Sequence, residues 1–138
     1  MPRTMDSPQN VMNGVDFFKS KLQFEATPHQ LKELMDQKLP TLLVVDVRDK
    51  ASYDKEHIPG AINIPLQELL GRLRDIPKEK TVVCYCWTYS CALATKACLD
   101  LAHKDYKVQE LFGGIRAWKE AGFDCEGADV RKPNEAQY

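Results

Sequence analysis

The sequence lacks a long apolar run, an excess of charge of either sign and an even number of cysteines. No stretch approaches the roughly 18 apolar residues that span a membrane, so we expect no membrane association. The 19 basic and 20 acidic side chains of its 138 residues leave a net charge of −1. This balance argues against nucleic-acid binding through bulk charge and against a polybasic membrane adaptor.

The cysteine content raises the question of which thiol reacts. Five cysteines cannot all pair within one chain. The first nine residues are polar, include two prolines and do not resemble a secretory signal peptide. We therefore expect a cytoplasmic protein whose thiols are mostly free.

Strand-like and helical patterns alternate along the chain. The continuous apolar run at 42–45 is typical of a strand covered on both faces, as in a parallel sheet. Further strands are predicted at 81–85 and 107–112. Thr27 and Gln30 have the spacing of a capping box, which predicts the start of a helix. A further helix is indicated by leucines at helical spacing, at Leu66, Leu69, Leu70 and Leu73. The sequence thus predicts an α/β fold with a central, mostly parallel sheet flanked by helices.

A single domain is predicted over residues 23–127. Residues 1–22 are interpreted as a loose tail followed by a short amphipathic helix, whose apolar side chains include Val15 and Phe18. Residues 128–138 form a second polar tail. No internal repeat or linker divides the chain.

The segment from Cys86 to Cys91 is the candidate reactive site of the sequence. It joins the strand that ends at Tyr85 to a helix, and sites in open α/β sheets gather at the carboxyl ends of strands. Free N–H groups and the positive end of the helix dipole are expected to lower the pKa of Cys86. We therefore predict that Cys86 is a nucleophile, whereas Cys84 and Cys98 fit buried positions. The alternative is that Cys86 is itself a small buried residue.

A family resemblance rests on four stretches in a fixed order: VVDVR at 44–48, HIPGAINIP at 57–65, VVCYCWTYSC at 82–91 and LFGGIRAW at 111–118. Together they resemble the rhodanese-like sulfurtransferases over residues 24–127. The resemblance implies a three-layer fold with a five-stranded parallel sheet and no metal or organic cofactor. It also implies that Cys86 takes up a sulfane sulfur as a persulfide and passes it to a thiol or cyanide-like acceptor, as in the thiosulfate:cyanide type.

The loop residues are the expected contacts of the sulfur donor: Trp87, Thr88, Tyr89, Ser90 and Cys91. Many active family members carry a glycine in the middle of this loop and an arginine five residues after the nucleophile. This sequence has Tyr89 and Cys91 there, and the missing arginine removes a cationic contact for thiosulfate. The donor therefore stays open between thiosulfate and a low-molecular persulfide.

Four residues outside the loop have supporting interpretations. Asp46 and Arg48 are expected to join neighbouring loops through ion pairs and hydrogen bonds. Arg116 either reaches toward the donor in place of the missing arginine or is an ordinary surface residue. His57 is interpreted as a residue that stabilises a turn, with a general base as the alternative.

Cys91 has two interpretations of its own. It could attack an oxidised or persulfidated Cys86 and release sulfide as a resolving cysteine. The favoured alternative is a small, buried residue at the start of a helix. A catalytically weak binding or redox-sensing module that uses both cysteines is the alternative to a sulfurtransferase.

Two further classes fit the sequence less well. A cysteine phosphatase needs an arginine six residues after its nucleophile, where Ala92 follows Cys86 and Ser90 follows Cys84. A zinc site is not indicated, because the sequence has no Cys-x₂-Cys pair and no matched histidine spacing. The expected partners are a small-molecule sulfur donor and either a small acceptor or an acceptor protein, with the chain a monomer or homodimer.

Overall fold

The computed structural model describes residues 12–130 and contains one five-stranded sheet. Its strands are β1 (Glu25–Ala26), β2 (Leu42–Asp46), β3 (Ile62–Asn63), β4 (Thr81–Tyr85) and β5 (Lys107–Leu111). They lie in the order β1-β5-β4-β2-β3, and every neighbouring pair is parallel. This confirms the predicted α/β fold and its five-stranded parallel sheet.

The helices connect these strands and cover both faces of the sheet. They are α1 (Gly14–Phe24), α2 (Pro28–Asp36), α3 (Lys50–Lys55), α4 (Leu93–His103) and α5 (Gly114–Glu120). The predicted capping box is present at the start of α2, where Thr27 and Gln30 exchange hydrogen bonds. The leucine stripe that predicted a helix forms a 3₁₀ segment, Leu66–Asp75, whose helical dihedrals are interrupted at Arg72.

Alternate residues of β4 pack into two cores on opposite faces of the sheet. Val82 and Cys84 pack toward the 3₁₀ segment and α4, whereas Val83 and Tyr85 pack toward α2 and α5. Each of these four side chains is completely buried. The sheet is therefore covered on both faces, as the continuous apolar run predicted.

Helix α1 differs from an ordinary amphipathic helix because none of its residues is buried. Val15, Phe18 and Leu22 are 63%, 61% and 82% exposed. The helix is held at its start by Asn13, whose side chain accepts a hydrogen bond from the N–H group of Asp16. The predicted tail at residues 1–9 lies outside the described residues, as do residues 131–138 of the tail predicted over 128–138.

Candidate active site

Cys86 lies at the carboxyl edge of the sheet, immediately after β4. Its carbonyl oxygen accepts a hydrogen bond from the backbone N–H group of Ile115 at 3.0 Å. The carbonyl oxygen of Trp87 accepts one from the backbone N–H group of Arg116, also at 3.0 Å. The start of the loop is thereby fixed to the first turn of α5. The Cys86 side chain faces the core that contains α4, and the residue is only 2% exposed.

The surroundings of Cys86 act on the pKa of its thiol in two opposite directions. Burial and a hydrogen bond with the Cys91 thiol raise its pKa, while backbone N–H groups of Ala94 and Trp87 lower it. The result is a pKa of about 12. The expected N–H groups are present, but the predicted lowering of the pKa is not, because the loop covers the sulfur and desolvation of the thiolate outweighs them.

Cys91 lies beside Cys86 and is more exposed. Partial burial works to raise its pKa, but hydrogen bonds from Cys86 and from the N–H groups of Trp87 and Leu93 lower the pKa below the ordinary value for a thiol. The Sγ of Cys86 also donates to the carbonyl oxygen of Cys91 at 3.6 Å. The loop therefore brings two thiols together, and Cys91 is the more acidic of the pair.

Two aromatic side chains form the outer wall of the loop. The Trp87 ring lies over the guanidinium of Arg48, with 4.5 Å between the Arg48 Cζ atom and the ring centroid. The Tyr89 hydroxyl donates to the Glu120 carboxylate at 2.7 Å, and its ring meets Phe112 edge-on at 5.4 Å between centroids. Both rings keep a solvent-facing side, with Trp87 43% and Tyr89 53% exposed.

The two hydroxyl residues of the loop make local contacts. The hydroxyls of Thr88 and Ser90 lie 3.4 Å apart, and the Ser90 N–H group donates to the Thr88 hydroxyl. The carbonyl oxygen of Thr88 accepts a hydrogen bond from the Cys91 N–H group at 3.3 Å. These contacts fold the loop back toward α4 and carry Cys91 to its position beside Cys86.

Asp46 and Arg48 form a buried ion pair at the end of β2. Arg48 Nη2 lies 2.7 Å from an Asp46 carboxylate oxygen, and both side chains are at most 1% exposed. Arg48 also donates to the carbonyl oxygen of Glu56 at 2.6 Å. The charged group of Arg48 therefore binds partners at the end of β2 and the end of α3. Its contact with Trp87 is the stacking of the guanidinium on the ring.

Arg116 and His57 have partners of their own. The guanidinium of Arg116 is exposed and pairs with Glu120 at 3.2 Å, the same carboxylate that binds Tyr89. His57 stacks on Tyr53 at 3.8 Å between ring centroids, and its Nδ1 atom lies 2.7 Å from the Tyr53 carbonyl oxygen. These are the contacts of a residue that stabilises a turn.

Sequence analysis missed the two residues that determine the fit of the loop against α5. Gly114 has a positive φ of +62°, and a Cβ atom there would lie 2.7 Å from the Cys86 carbonyl oxygen. The adjacent glycines at 113 and 114 were a signal for this close approach. Glu120 gave no signal, because its link to Tyr89 spans 31 residues of sequence.

The comparisons with known proteins agree with this geometry. The model of the rhodanese-like domain matches residues 27–121. The chain belongs to the rhodanese-like domain family. A solved structure of the BH2092 protein from Bacillus halodurans superposes with a TM-score of 0.77 and 34% identity, covering 83% of this chain and 84% of that one.

Two relatives of this chain are described as proteins of different kinds, a sulfurtransferase and a transcriptional regulator. A sulfurtransferase of Allochromatium vinosum is 38% identical over 82 residues, which are 59% of this chain and 75% of that protein. The HTH-type transcriptional regulator Rv0324 of Mycobacterium tuberculosis is 39% identical over 88 residues, which are 63% of this chain. That match spans only 39% of the regulator.

Two other kinds of feature are absent from the described part of the rhodanese-like domain. Within residues 12–130, no three His, Cys, Asp or Glu side chains come close enough to hold a metal ion. No helix in this described part of the chain is both long and apolar enough to cross a membrane.

Proposed function

We propose that this protein is a sulfurtransferase that carries a sulfane sulfur as a persulfide on Cys86. The observation that supports the proposal is the position of Cys86, directly after the central strand β4 in the loop that leads to α4. Hydrogen bonds from the N–H groups of Trp87 and Ala94 there work to lower the pKa of its thiol. A rhodanese-like domain and relatives described as sulfurtransferases point the same way.

The transfer requires two displacement steps at sulfur. The Cys86 thiolate attacks the outer sulfur of the donor, forms a new S–S bond and releases sulfite from thiosulfate or a thiolate from a persulfide. The N–H groups of Trp87 and Ala94 then stabilise the persulfide anion through charge-assisted hydrogen bonds. An acceptor thiolate or cyanide attacks the outer sulfur, and the Cys86 thiolate leaves.

The charges around the loop favour a low-molecular organic persulfide over thiosulfate. Both arginines that contact the loop are already engaged, Arg48 by Asp46 and Arg116 by Glu120. A dianionic donor would therefore find no unpaired guanidinium on these two residues, whereas the exposed rings of Trp87 and Tyr89 suit an organic group. Five unpaired thiols also fit the proposed location in the reducing cytoplasm.

A redox-sensing module is the second candidate function. It is favoured by one observation: the Cys86 sulfur lies 3.6 Å from the carbonyl oxygen of Cys91, so an oxidant meets two neighbouring cysteines. A sensor would form the Cys86–Cys91 disulfide with peroxide and would take up no sulfur from sulfane donors.

Intact-protein mass spectrometry distinguishes these functions. The protein would be treated anaerobically with glutathione persulfide, inorganic polysulfide or thiosulfate, beside Cys86→Ser and the control Cys125→Ser, whose site packs in the opposite core. We expect one added sulfur in wild type and the control, none in Cys86→Ser, and faster loading from glutathione persulfide. Removal of the added sulfur by cyanide identifies a persulfide rather than a sulfinic acid. No loading from any donor would refute the transferase.

A further inference from the structure

Cys91 lies against the sulfur of Cys86. The Sγ of Cys86 donates to the carbonyl oxygen of Cys91 at 3.6 Å, and the Cys91 side chain packs against the same core cluster that contains Cys86. The hydrogen bond from Cys86 that lowers the pKa of Cys91 agrees with this placement. The two residues are therefore neighbours in the folded loop as well as in the sequence.

The two thiols differ in how they meet solvent. Cys86 is almost completely covered, whereas Cys91 is partly exposed on the outer side of the pair. Hydrogen bonds from backbone N–H groups at the start of α4 favour the anion of each sulfur: that of Ala94 works to lower the pKa of Cys86, and that of Leu93 lowers the pKa of Cys91.

We propose that Cys91 is a resolving thiol, which converts the Cys86 persulfide into a Cys86–Cys91 disulfide and releases hydrosulfide. This inference rests on the proposed function, because it needs the persulfide on Cys86 as its starting point. It adds a second activity, the reduction of sulfane sulfur to sulfide, to the transfer of that sulfur to an external acceptor.

The step balances without an external oxidant. The Cys91 thiolate attacks the Sγ atom of Cys86, the Cys86–Cys91 bond forms, and the bond between Sγ and the outer sulfur breaks. The outer sulfur takes both electrons of that bond and leaves as hydrosulfide with the proton given up by the Cys91 thiol. Counted from the persulfide, the outer sulfur is reduced by one electron and the Cys91 sulfur is oxidised by one, while Cys86 Sγ keeps its oxidation state.

Geometry determines which sulfur Cys91 attacks. The Cys86 Sγ atom, which becomes the inner sulfur of the persulfide, lies 3.6 Å from the carbonyl oxygen of Cys91. The Cys91 side chain therefore starts beside the inner sulfur. Attack at the inner sulfur also expels hydrosulfide, a better leaving group than an alkyl thiolate because its conjugate acid has a lower pKa. Two equivalents of a low-molecular thiol, or one dithiol, then reduce the disulfide and restore both cysteines.

The test follows the fate of one loaded sulfur under anaerobic conditions. Protein would be loaded with one equivalent of glutathione persulfide, freed of small molecules by rapid desalting, and sampled over time for intact mass and released sulfide. Wild type and the control Cys125→Ser should lose the added sulfur and two hydrogens, and release one sulfide per chain. Peptide mapping should locate the new disulfide between Cys86 and Cys91.

The variants Cys91→Ser and Cys91→Ala are expected to keep the Cys86 persulfide at least roughly tenfold longer, with no disulfide and no matching sulfide. Equal persulfide lifetimes in wild type and both variants would overturn the resolving role while leaving the transferase intact. Wild type that loads but forms no disulfide would overturn it as well, whatever the folding of the variants. Failure of wild type and variants alike to load would instead refute the proposed function.

Discussion

The guanidinium of Arg48 lies 4.5 Å from the centre of the Trp87 ring and at the same time forms a buried ion pair with Asp46. The end of β2 is thereby joined to the loop that follows β4. Cation–π contacts of this kind contribute about 0.5–2 kcal/mol, depending on how far the cation is removed from water. The position of the loop is thus coupled to a charge pair inside the domain.

Replacement of Arg48 by methionine should reduce the free energy of unfolding by about 3–5 kcal/mol, because the Asp46 carboxylate would remain buried without its partner. Urea denaturation followed by circular dichroism would measure this loss. The control is Lys50→Met, which removes an exposed ion pair with Asp54 and should cost less than about 1 kcal/mol. Similar losses in the two variants would contradict the central role of the buried pair.

Gly114→Ala should destabilise the protein and displace the active-site loop, because its Cβ would lie 2.7 Å from the Cys86 carbonyl oxygen at a φ of +62°. The matched control is Gly122→Ala, which also has a positive φ but has no atom within 4 Å of the added Cβ. The control should cost about 1–2 kcal/mol from backbone strain alone, and Gly114→Ala clearly more. Thermal unfolding of both variants measures the two losses of stability. Equal losses would show that the Cys86–Cys91 loop moves away from the added Cβ without cost.

Tyr89→Phe should speed the reaction of Cys86 with sulfur donors and alkylating agents. The substitution keeps the ring beside Phe112 but removes the hydrogen bond to Glu120, so the loop that covers Cys86 opens more often. A bond worth about 0.5–1.5 kcal/mol corresponds to a roughly 2- to 12-fold faster reaction. Stopped-flow loading and mass spectrometry measure the rate.

A double-variant comparison tests the cause of that acceleration. Glu120→Ala removes the same hydrogen bond from the other side, so Tyr89→Phe should have no further effect in the Glu120→Ala background. Independent, additive accelerations would show that the bond between the two side chains does not hold the loop closed.

Stability should fall in alkaline solution between about pH 9 and pH 12, because burial raises the pKa of Cys86 from 9.0 to about 12. The folded state binds the thiol proton more tightly than the unfolded state, so this contribution is complete below pH 9 and is lost as the pH rises toward 12. One such thiol gives a slope of up to about 1.4 kcal/mol per pH unit.

Urea titrations across this pH range would measure the slope, and Cys86→Ser should make it shallower. Cys125→Ser serves as the comparison, because burial raises the pKa of Cys125 only to about 11. An identical alkaline decline in wild type and Cys86→Ser would assign the effect to other groups.

The sheet could be predicted from the sequence because each main strand is marked by a short run of neighbouring residues. The buried runs 42–45 and 81–85 contain the apolar residues of strands covered on both faces, and both are observed as strands. The capping box at Thr27 is equally local and is also confirmed. The 3₁₀ form of Leu66–Asp75 was not predicted, since the same leucine spacing serves either kind of helix.

The candidate site was only partly predictable, because its properties arise from distant contacts. The place of Cys86 after β4 followed from the strand pattern, and the family model confirms the resemblance. Its raised pKa did not follow, because the depth of burial depends on how the whole loop packs. The contact between Trp87 and Arg48 crosses from one strand end to another and has no signature in the sequence.

The outermost strands of the sheet, β1 and β3, contain two residues each, whereas the three inner strands contain five. Exposed strand edges can recruit extended chains and promote intermolecular aggregation, and very short edge strands limit this. Edges this brief offer too few open backbone groups to template a further strand. We therefore expect concentrated solutions of the folded protein to resist amyloid-like polymerisation, even though the sheet interior is built from the β-branched residues that such fibres favour.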